Sequence, residues 1–564
     1  MINFFNRSDI NRSMFLKITA LSLFCTAAIA NNSTKIEPIS LTTNMQEIGK
    51  QIYLTGHTPS GEVIQAVVGN DAPISGDQFS CVSCHRRSRL GSSEGGKQVP
   101  ALTATALFKP AQVSVTRGVL PKAFKHTGST RIPYTDETLA KVIREGVDPS
   151  GRKLDPLMPR YAMDEKNIAA LNAYLKTEPV SKIPGVDDTT LHFATIVTEG
   201  VDPVKRKAML DILIGYFQDK NADTRHNTKR AKFSAYKMYQ VYRKWELHVW
   251  ELNGKESSWP AQLERYYKKQ PILAMVGGLS VSGWQPMHQF CEQFEIACLF
   301  PNTDVPVISE NDFYTTYFSK GLSLEAETLA NHLQNENTKV KNRPITQVFR
   351  DTGQARIAAK ALNKILQKND NFQLQDVVIP GSQVLSPAFW DDLFKKMNAG
   401  ALVLWLDKAD LESLGNSQQF PSAITAVYGS ISLVDEKIPK LTDVIRERLY
   451  LIYPWALPNA RDSQLIRVKT WLKSKHLSFE QERLQANTFF AVQVLSEVIM
   501  HLLDNFSSAY IIERVEGMLS SFSSISIYPH LSLGAGQKFA SKGGYIVKIS
   551  PDGHLSSVQD WIVP

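Results

Sequence analysis

Apolar and polar stretches alternate regularly through the C-terminal two thirds of the chain. Apolar runs rich in β-forming residues, at 193–197, 247–252 and 272–276, are each followed by an amphipathic stretch of helical length. The same order returns at 345–366 and at 377–397. Strands that alternate with amphipathic helices indicate a parallel sheet that is covered by helices. The pattern predicts an α/β fold of one or two lobes.

The region before it shows a different pattern. Residues 31–180 contain short predicted helices, at 44–54, 136–146 and 164–176, which long loops rich in Gly, Ser and Pro join together. We interpret this region as an all-α domain that is organised around a prosthetic group. Residues 181–189 concentrate Pro, Gly and polar residues and predict a linker. The predicted fold class is therefore multidomain, with an all-α domain followed by an α/β domain at 190–564.

The first thirty residues have the features of a secretory signal peptide. Three basic residues precede an apolar run at 18–24, and Ala28-Ile29-Ala30 supplies the small residues that a signal peptidase reads. The run is much shorter than the roughly 20 residues that span a bilayer, which disfavours a membrane anchor. We expect cleavage after residue 30, a periplasmic location and no transmembrane segment in the mature chain.

Composition and charge exclude few classes of function. The hydrophobic fraction of 43% and the charged fraction of 21% are ordinary for a folded globular protein. The formal net charge of +8 is small for 564 residues, and no basic run is interleaved with aromatic residues. A nucleic-acid partner is therefore not expected.

The most specific motif is Cys81-Val82-Ser83-Cys84-His85. Two cysteines three positions apart, followed directly by histidine, are typical of covalent haem c attachment, with the histidine as an axial iron ligand. Zinc would need two further ligands, and no second Cys or His pair lies nearby at finger spacing. A redox dithiol would open a helix after a strand, which the polar lead-in at 75–80 does not provide. We expect one covalently bound haem at Cys81 and Cys84, with His85 on the iron.

The sixth iron ligand is expected later in the chain. Met158 lies between two prolines in a stiff loop that can present its thioether, and it is the first choice. Met163 is its rival, although it opens the last predicted helix. A bis-histidine pair with His57 or His126 is a smaller alternative, and core packing is the alternative for either methionine.

Together these features resemble the monohaem class I cytochrome c domain over about residues 40–180. The resemblance implies an all-helical fold around the haem and one-electron transfer at an exposed haem edge. Pro100 resembles the family's proline on the histidine side of the haem. Arg86, Arg87 and Arg89 could then pair with haem propionates, although an ordinary solvated basic surface is the better explanation of these residues.

The α/β region resembles the type 1 periplasmic binding proteins of branched-chain amino-acid transporters. Residues 272–280 are similar to the family's strand and glycine turn that meet the ligand, and residues 297–302 to the next strand and loop. Residues 313–321 resemble the first crossing between lobes, which we place near 318–323. The resemblance implies two lobes that close by hinge motion around a small molecule.

Six residues are candidates for ligand contacts. Ligands of open α/β sheets bind beyond the carboxyl ends of strands. Ser280 and Ser282 follow such an end, and Gly277, Gly278 and Gly283 let the backbone approach closely, although a plain glycine turn remains an alternative. Second-rank candidates end two further strands, and each of them is equally well explained as a helix cap or a core residue. They are Asn302, Thr303, Trp405 and Asp407.

A cysteine pair and the absence of catalytic motifs also bear on the chemistry of the α/β region. Cys291 and Cys298 are either a disulfide, which export permits, or two buried thiols. The region has no Ser/His/Asp order, no Walker glycine-lysine loop and no metal-binding histidine pair spaced for one helix. An enzyme site is therefore not expected there.

The main prediction is a periplasmic c-type cytochrome that transfers single electrons, with a redox partner that is a dehydrogenase or an oxidase. Its α/β domain would bind a small molecule or that partner, as in accessory proteins of quinoprotein dehydrogenase systems. The alternative is a solute receptor or redox sensor in which the haem region is auxiliary. A haem peroxidase is a third possibility, which an axial Met158 disfavours.

Overall fold

The computed structural model describes residues 41–69, 72–94, 96–110, 132–177, 183–231, 243–309, 311–334, 344–368, 372–415, 417, 420–435, 439–502 and 505–564. The predicted signal segment, His126 and residues 181–182 of the predicted linker lie outside the described residues. The chain divides into two compact units. One is Met1–Ser80 with Tyr134–Thr177, and the other is Cys81–Pro133 with Glu178–Pro564.

The first unit combines three helices with a small antiparallel sheet. Its elements are α1 Leu41–Thr55, β1 Gln65–Val68, β2 Ala72–Ser75, α4 Asp136–Glu145, β5 Arg160–Tyr161 and α5 Glu165–Leu175. Helix α1 packs against α5 so closely that a Cβ at Gly49 would lie 2.0 Å from the carbonyl oxygen of Ala170. Strand β1 pairs with both β2 and β5. The expectation of an all-α domain is therefore wrong, because strands of two to four residues are too short to produce an alternating pattern.

The segment that begins at Cys81 belongs to the second unit. It contains α2 Cys81–His85, β3 Ser92–Glu94, β4 Lys97–Val99 and α3 Ala104–Phe108. Ser88 donates its backbone N–H and its hydroxyl to the carboxylate of Glu513, at 2.8 and 2.5 Å. The guanidinium of Arg87 lies 4.5 Å from the centre of the Phe313 ring. This grouping differs from the single domain at 31–180 that the sequence suggested, because these polar and cation-π contacts join the segment to the α/β part.

The first lobe of the second unit is a five-stranded parallel sheet. Its strands are β6 Thr190–Thr198, β7 Lys244–Leu252, β8 Ala274–Val276, β9 Ala297–Leu299 and β10 Thr315–Thr316, in the order β10-β9-β8-β6-β7. Its helices are α6 Pro203–Ala231, α7 Trp259–Lys269 and α8 Gln285–Gln293. A disulfide joins Cys291 at the end of α8 to Cys298 on β9, with Cα atoms 6.3 Å apart.

The second lobe is a seven-stranded mixed sheet in the order β12-β11-β13-β14-β15-β16-β17. The strands are β11 Ile345–Arg350, β12 Leu374–Ile379, β13 Ala401–Trp405, β14 Ala426–Ser430, β15 Leu449–Tyr453, β16 Tyr545–Ile549 and β17 Leu555–Ser557. Helix α9 Leu322–Gln334 precedes these strands, and the helices between them are α10 Gly353–Leu366, α11 Pro387–Lys396, α12 Lys408–Gly415 and α13 Asp443–Arg446. The first five strands of this order are parallel, whereas β16 and β17 are antiparallel to their neighbours.

The chain passes between the lobes three times. The first passage lies between β10 and α9, and the second follows β15. Three helices, α14 Pro458–Ser474, α15 Glu482–Leu502 and α16 Ser508–Met518, come next, and α15 packs on α6 and β8 of the first lobe. The chain then returns to the second sheet at β16. The prediction of a two-lobed α/β region is confirmed.

Hydrophobic burial holds each lobe together. In the first lobe, Phe193 of β6 is fully buried together with Met209 and Leu213 of α6. In the second lobe, Leu402 of β13 and Leu451 of β15 are fully buried. No helix among the described residues is long and apolar enough to cross a membrane.

Candidate functional site

A cavity of about 600 Å³ lies between the two lobes. Residues after β8 and β9 of the first lobe form one wall, and residues after β14 and β15 of the second lobe form another. The N-terminal turns of α14 and α15 also contribute to the lining. A volume of this size is within the range of small-molecule sites, about 300–1,000 Å³. The cavity therefore lies beyond the carboxyl ends of parallel strands, where ligands of such sheets bind.

The turn after β8 brings a polar segment to the cavity. Gly277 and Gly278 have φ values of 63° and 119°, in the region that side chains other than glycine rarely adopt. A Cβ at Gly278 would also lie 2.5 Å from the Trp284 ring. Leu279 then bridges Val197 and Asn302 as a short extension of the sheet. The glycine pair thus sets the direction in which the next residues leave the sheet.

Ser280 and Ser282 both line the cavity. The Ser280 hydroxyl accepts a hydrogen bond from the backbone N–H of Ser282 at 3.2 Å, which fixes the turn. The Ser282 hydroxyl oxygen is buried, and no described residue offers it a hydrogen bond. A buried hydroxyl without a partner costs about 1–3 kcal/mol, so Ser282 is suited to bind a polar group from a ligand.

Asn302 and Thr303 line the same wall. The side-chain amide of Asn302 donates to the Thr488 hydroxyl at 3.4 Å, whereas its buried carbonyl oxygen has no partner among the described residues. The Thr303 hydroxyl accepts from the backbone N–H of Val305 at 3.2 Å. Asn302 therefore resembles Ser282 in holding an unused polar atom, while Thr303 stabilises its own turn.

Charged side chains of α14 and α15 meet this wall. Arg483 donates two hydrogen bonds to the carboxylate of Asp304, at 2.6 and 3.1 Å. Arg461 donates to the Tyr453 hydroxyl at 2.8 Å and forms an ion pair with Glu482. Such charge-assisted, two-pronged contacts fix side-chain positions as well as charge. The cavity has a rigid polar floor.

One ion pair joins the lobes directly. Lys205, on α6 of the first lobe, lies 3.0 Å from the carboxylate of Asp435, which follows β14 of the second lobe. Both residues line the cavity. Their contact holds the lobes together at the rim of the cavity.

Two of the six predicted contacts are placed elsewhere. Trp405 is fully buried in the second lobe, and its indole N–H donates to the side-chain oxygen of Gln347 at 3.1 Å. The Asp407 carboxylate accepts from the backbone N–H of Asp410 at 2.9 Å and caps the start of α12. Neither residue is part of the cavity lining. The prediction placed both at a strand end, but it could not tell which side of the sheet each one would face.

Several lining residues were missed by sequence reasoning. Tyr453, Trp455, Arg461 and Arg483 all line the cavity, and the first three lie at or shortly after β15. Strand β15 was not among the predicted strands, although its run Leu-Tyr-Leu-Ile-Tyr is apolar and rich in β-forming residues. Recognising that strand would have placed Trp455 at a carboxyl end.

The Cys81 to His85 motif forms one short helix. Cys81 and Cys84 are half-buried, and burial raises the pKa of the Cys81 thiol to about 12. The Nδ1–H of His85 donates to the carbonyl oxygen of Pro100 at 2.9 Å, which leaves Nε2 with the lone pair. Burial also lowers the pKa of His85 and keeps its imidazole neutral. A neutral imidazole with one nitrogen held by a carbonyl is the form that ligates iron, so these residues fit a haem.

The predicted partners of this histidine lie in the other unit. Met158 is half-buried in the loop before β5, where its backbone carbonyl accepts a hydrogen bond from Arg160. Met163 is buried, and its carbonyl accepts two hydrogen bonds from Arg144 at 2.9 and 2.7 Å. The ring of His57 contacts the carbonyl of Thr55 at 2.9 Å. Axial ligation by Met158, Met163 or His57 stays a prediction.

Solved structures of substrate-binding proteins are similar to this chain. A fatty acid ABC transporter substrate-binding protein from Thermomonospora curvata is 13% identical, with a TM-score of 0.45 over 68% of this chain and 95% of that chain. A branched chain amino acid ABC transporter from Thermus thermophilus with bound valine is 11% identical, with a TM-score of 0.45 over 67% and 97%. A leucine binding protein from Thermotoga maritima is 10% identical, with a TM-score of 0.45 over 66% and 99%. No protein-family model and no curated protein matches the chain.

The main function predicted from the sequence, one-electron transfer by a cytochrome, is wrong as a description of this chain. The similar solved structures are described as substrate-binding proteins and as a branched chain amino acid ABC transporter. The cavity described above also lies between the lobes of the α/β part, which makes up most of the described residues. The redox partner expected with electron transfer has no support for the same reason.

Proposed function

We propose that the chain is a receptor of the periplasmic-binding-protein type, whose two lobes close around a small polar molecule. The observation that carries this proposal is the cavity between the lobes, which polar residues of both sheets line. A periplasmic location, as the predicted signal segment implies, belongs to the same proposal. A ligand stabilises the closed form only if it binds that form more tightly than the open form. Contact with both lobes would provide this difference in affinity.

The lining indicates the chemistry of the ligand. Two of its polar atoms, the Ser282 hydroxyl and the Asn302 carbonyl oxygen, have no partner among the described residues. Its ionisable groups include five carboxylates, from Asp304, Asp435, Asp462, Glu480 and Glu482, but three cationic groups, from Lys205, Arg461 and Arg483. A surplus of carboxylates favours a ligand with an amino or other cationic group over a dianion.

The test is a thermal-shift screen of the full chain against amino acids, amines, sugars and dicarboxylates. A ligand present at 100 times its Kd stabilises a folded protein by about 2.7 kcal/mol, which raises the melting temperature measurably. We expect a shift with an amino-bearing metabolite. The shift should be roughly halved in Ser282→Ala, because tenfold weaker binding leaves about 1.4 kcal/mol of this stabilisation. It should be retained in Ser521→Ala, whose hydroxyl donates to the Met518 carbonyl. Absence of a shift with every class at millimolar concentration would contradict the receptor function.

A covalently bound haem is a second part of the proposal. Cys81 and Cys84 would hold it and His85 would ligate its iron, since the contact with Pro100 leaves Nε2 available. When bound, the haem would supply an oxidation state that can change, and the receptor would then report redox state as well as ligand. The segment that carries these residues contacts α16 through Ser88 and Glu513, within the same unit as the cavity.

Absorption spectroscopy of the protein expressed with the c-type maturation system tests the haem separately. We expect c-type bands after reduction with dithionite and haem that remains with the denatured chain. Cys81→Ala with Cys84→Ala should lose the covalent haem, whereas Cys291→Ala with Cys298→Ala should keep it. A wild-type chain without c-type bands would overturn the haem assignment and leave the receptor proposal standing.

A further inference from the structure

Three ionisable side chains interrupt an apolar face of the first sheet. Further along this face, Ala194, Ile196, Trp250 and Leu252 are buried in one cluster. At the amino ends of the same two strands, the parallel pairing places His192 of β6 opposite Glu246 of β7. His248 follows Glu246 by two positions and shares its face. The fold thus brings together His192 and His248, which are 56 positions apart in the sequence.

The three side chains converge closely. Nδ1 of His192 lies 3.0 Å from Nε2 of His248, and their rings are stacked with centroids 5.3 Å apart. One ligand atom from each of His192, His248 and Glu246 lies within 4.8 Å of the others. Zinc binds imidazole nitrogen at about 2.0–2.1 Å, so two such nitrogens on one tetrahedral ion are about 3.3 Å apart. A small increase in the distance between the two rings would therefore make room for an ion.

A fourth residue orients the buried histidine. Nε2 of His192 lies 3.0 Å from a carboxylate oxygen of Asp187. The backbone around Asp187 is held in place, since its carbonyl accepts from Arg243 at 2.9 Å and its N–H donates to Thr190 at 2.8 Å. A carboxylate that accepts from one ring nitrogen directs the lone pair of the other toward a metal. Here that lone pair, on Nδ1 of His192, points at His248.

Accessibility and protonation also suit metal binding. His192 is buried, whereas Glu246 and His248 are half-buried, so an ion can reach the cluster from solvent. A neutral imidazole is the form that ligates a metal, and the proton that Nε2 of His248 shares with His192 would be replaced by one on Nδ1 of His248, through solvent, when the ion binds at Nε2.

We propose that His192, His248 and Glu246 bind a divalent transition-metal ion of the zinc class, with Asp187 as a positioning residue. Two imidazoles and a carboxylate are a donor set that suits zinc, whereas calcium and magnesium select oxygen ligands. Three protein ligands leave a fourth position for water or for a group from another molecule. The site lies at the amino ends of β6 and β7, apart from the residues that line the cavity, so the proposal does not rest on the receptor function.

The test is a competition titration of the metal-free full chain with Zn²⁺ and a chromophoric chelator, with Cys81→Ala and Cys84→Ala in every variant so that these thiols cannot bind the ion. We expect one equivalent to bind, and Co²⁺ to give the visible spectrum of a four-coordinate nitrogen and oxygen site. His248→Ala should weaken Zn²⁺ binding by at least about 100-fold, and Asp187→Asn by about 10–100-fold. The matched control is His554→Ala, because that imidazole is exposed and lies 3.5 Å from Asp552.

Melting temperatures without metal separate a structural effect from a loss of ligation. Asp187→Asn should lower Zn²⁺ affinity while the metal-free chain melts close to wild type. If His248→Ala does not fold, His248→Gln replaces that variant in the titration, because glutamine fills more of the space of the imidazole than alanine does. The proposal is overturned if the wild-type chain binds no Zn²⁺ under these conditions, or if the His248 and Asp187 variants bind as tightly as wild type.

Discussion

The ammonium of Lys205 lies 3.0 Å from the carboxylate of Asp435, and this contact joins the two lobes at the rim of the cavity. The side chains are 36% and 45% exposed, so the pair contributes at most about 1 kcal/mol to global stability. An equilibrium between open and closed lobes is nevertheless sensitive to a contact of this size, since 1.4 kcal/mol changes a population ratio tenfold.

The first prediction is that Lys205→Met opens the lobes without unfolding the chain. We expect a larger radius of gyration by small-angle X-ray scattering and a change in unfolding free energy of less than about 1 kcal/mol. Lys207→Met is the matched control, because Lys207 lies on the same helix and pairs with Asp211 of that helix. An identical radius for both variants would show that the pair does not hold the lobes together.

The second prediction concerns Glu325, which is completely buried at the start of α9. Burial raises the pKa of Glu325 to about 8, the Asp304 carboxylate raises it further, and Ser430, Ser432 and Arg483 oppose the rise. Between the ordinary pKa of 4.5 and about 8, the folded chain holds a proton that the unfolded chain has lost. Raising the pH through this window therefore destabilises the fold, by up to about 1.4 kcal/mol per pH unit.

Glu325→Gln should remove this pH dependence, because glutamine keeps the shape and carries no charge. We expect the variant to be more stable than wild type at pH 8 and similar to it at pH 5. Urea unfolding at both pH values measures the difference. Glu264→Gln is the matched control, because that carboxylate is exposed and pairs with Lys268. A wild-type chain whose stability rises from pH 5 to pH 8 to the same extent as the variant would contradict the assignment.

The strand ends at the cavity could be predicted from the sequence better than the packing of the core. Ser280, Ser282, Asn302 and Thr303 line the cavity because a glycine turn or a proline marks a strand end, and strand ends of a parallel sheet share one edge. Trp405 also ends a strand, but the environment of its side chain depends on helices that come later in the sequence and pack against the sheet. Local pattern carries no information on that packing.

Contacts between residues that are far apart in the sequence could not be predicted for the same reason. His192 and His248 are separated by 56 positions, and no spacing rule for a helix or a loop connects them. The polar contact of Ser88 with Glu513 spans 425 positions and places the Cys81 segment with the α/β unit. Such pairs follow from the order of strands in a sheet and from helix packing, which a single sequence leaves undetermined.

The third prediction is that Ser282→Ala affects ligand affinity and stability in opposite directions. The buried Ser282 hydroxyl has no partner among the described residues, so its removal should stabilise the ligand-free chain by about 1 kcal/mol. The same change removes a hydrogen bond to the bound ligand and should weaken binding about tenfold. Thermal melting and calorimetric titration measure the two effects. A loss of stability without ligand would show that the hydroxyl is already satisfied.

The fourth prediction concerns the disulfide between Cys291 and Cys298. It closes a loop of only seven residues, which limits the entropy it removes from the unfolded chain. We expect Cys291→Ala with Cys298→Ala to lower the unfolding free energy by about 2 kcal/mol. Wild-type chain unfolded in dithiothreitol should lose a similar amount, whereas dithiothreitol should not affect the double variant. Equal stability of all three would indicate that the thiols are reduced in the protein.

The fifth prediction separates a core tryptophan from a cavity tryptophan. Trp405 donates to Gln347, which in turn donates to Asp376 at 2.7 Å, so Trp405→Phe leaves a buried carbonyl oxygen without its donor. We expect a loss of about 1–3 kcal/mol in unfolding free energy and no change in ligand affinity.

Trp455→Phe is the matched comparison for this prediction. Trp455 lines the cavity, and the guanidinium of Arg483 lies 5.1 Å from the centre of its ring. Because phenylalanine offers a smaller surface and a weaker cation-π partner, this variant should weaken ligand binding in calorimetric titrations while it perturbs the Arg483 contact. If Trp405→Phe reduced affinity more than Trp455→Phe did, the ligand would lie on the Trp405 side of the second sheet, and the cavity between the lobes would not be the binding site.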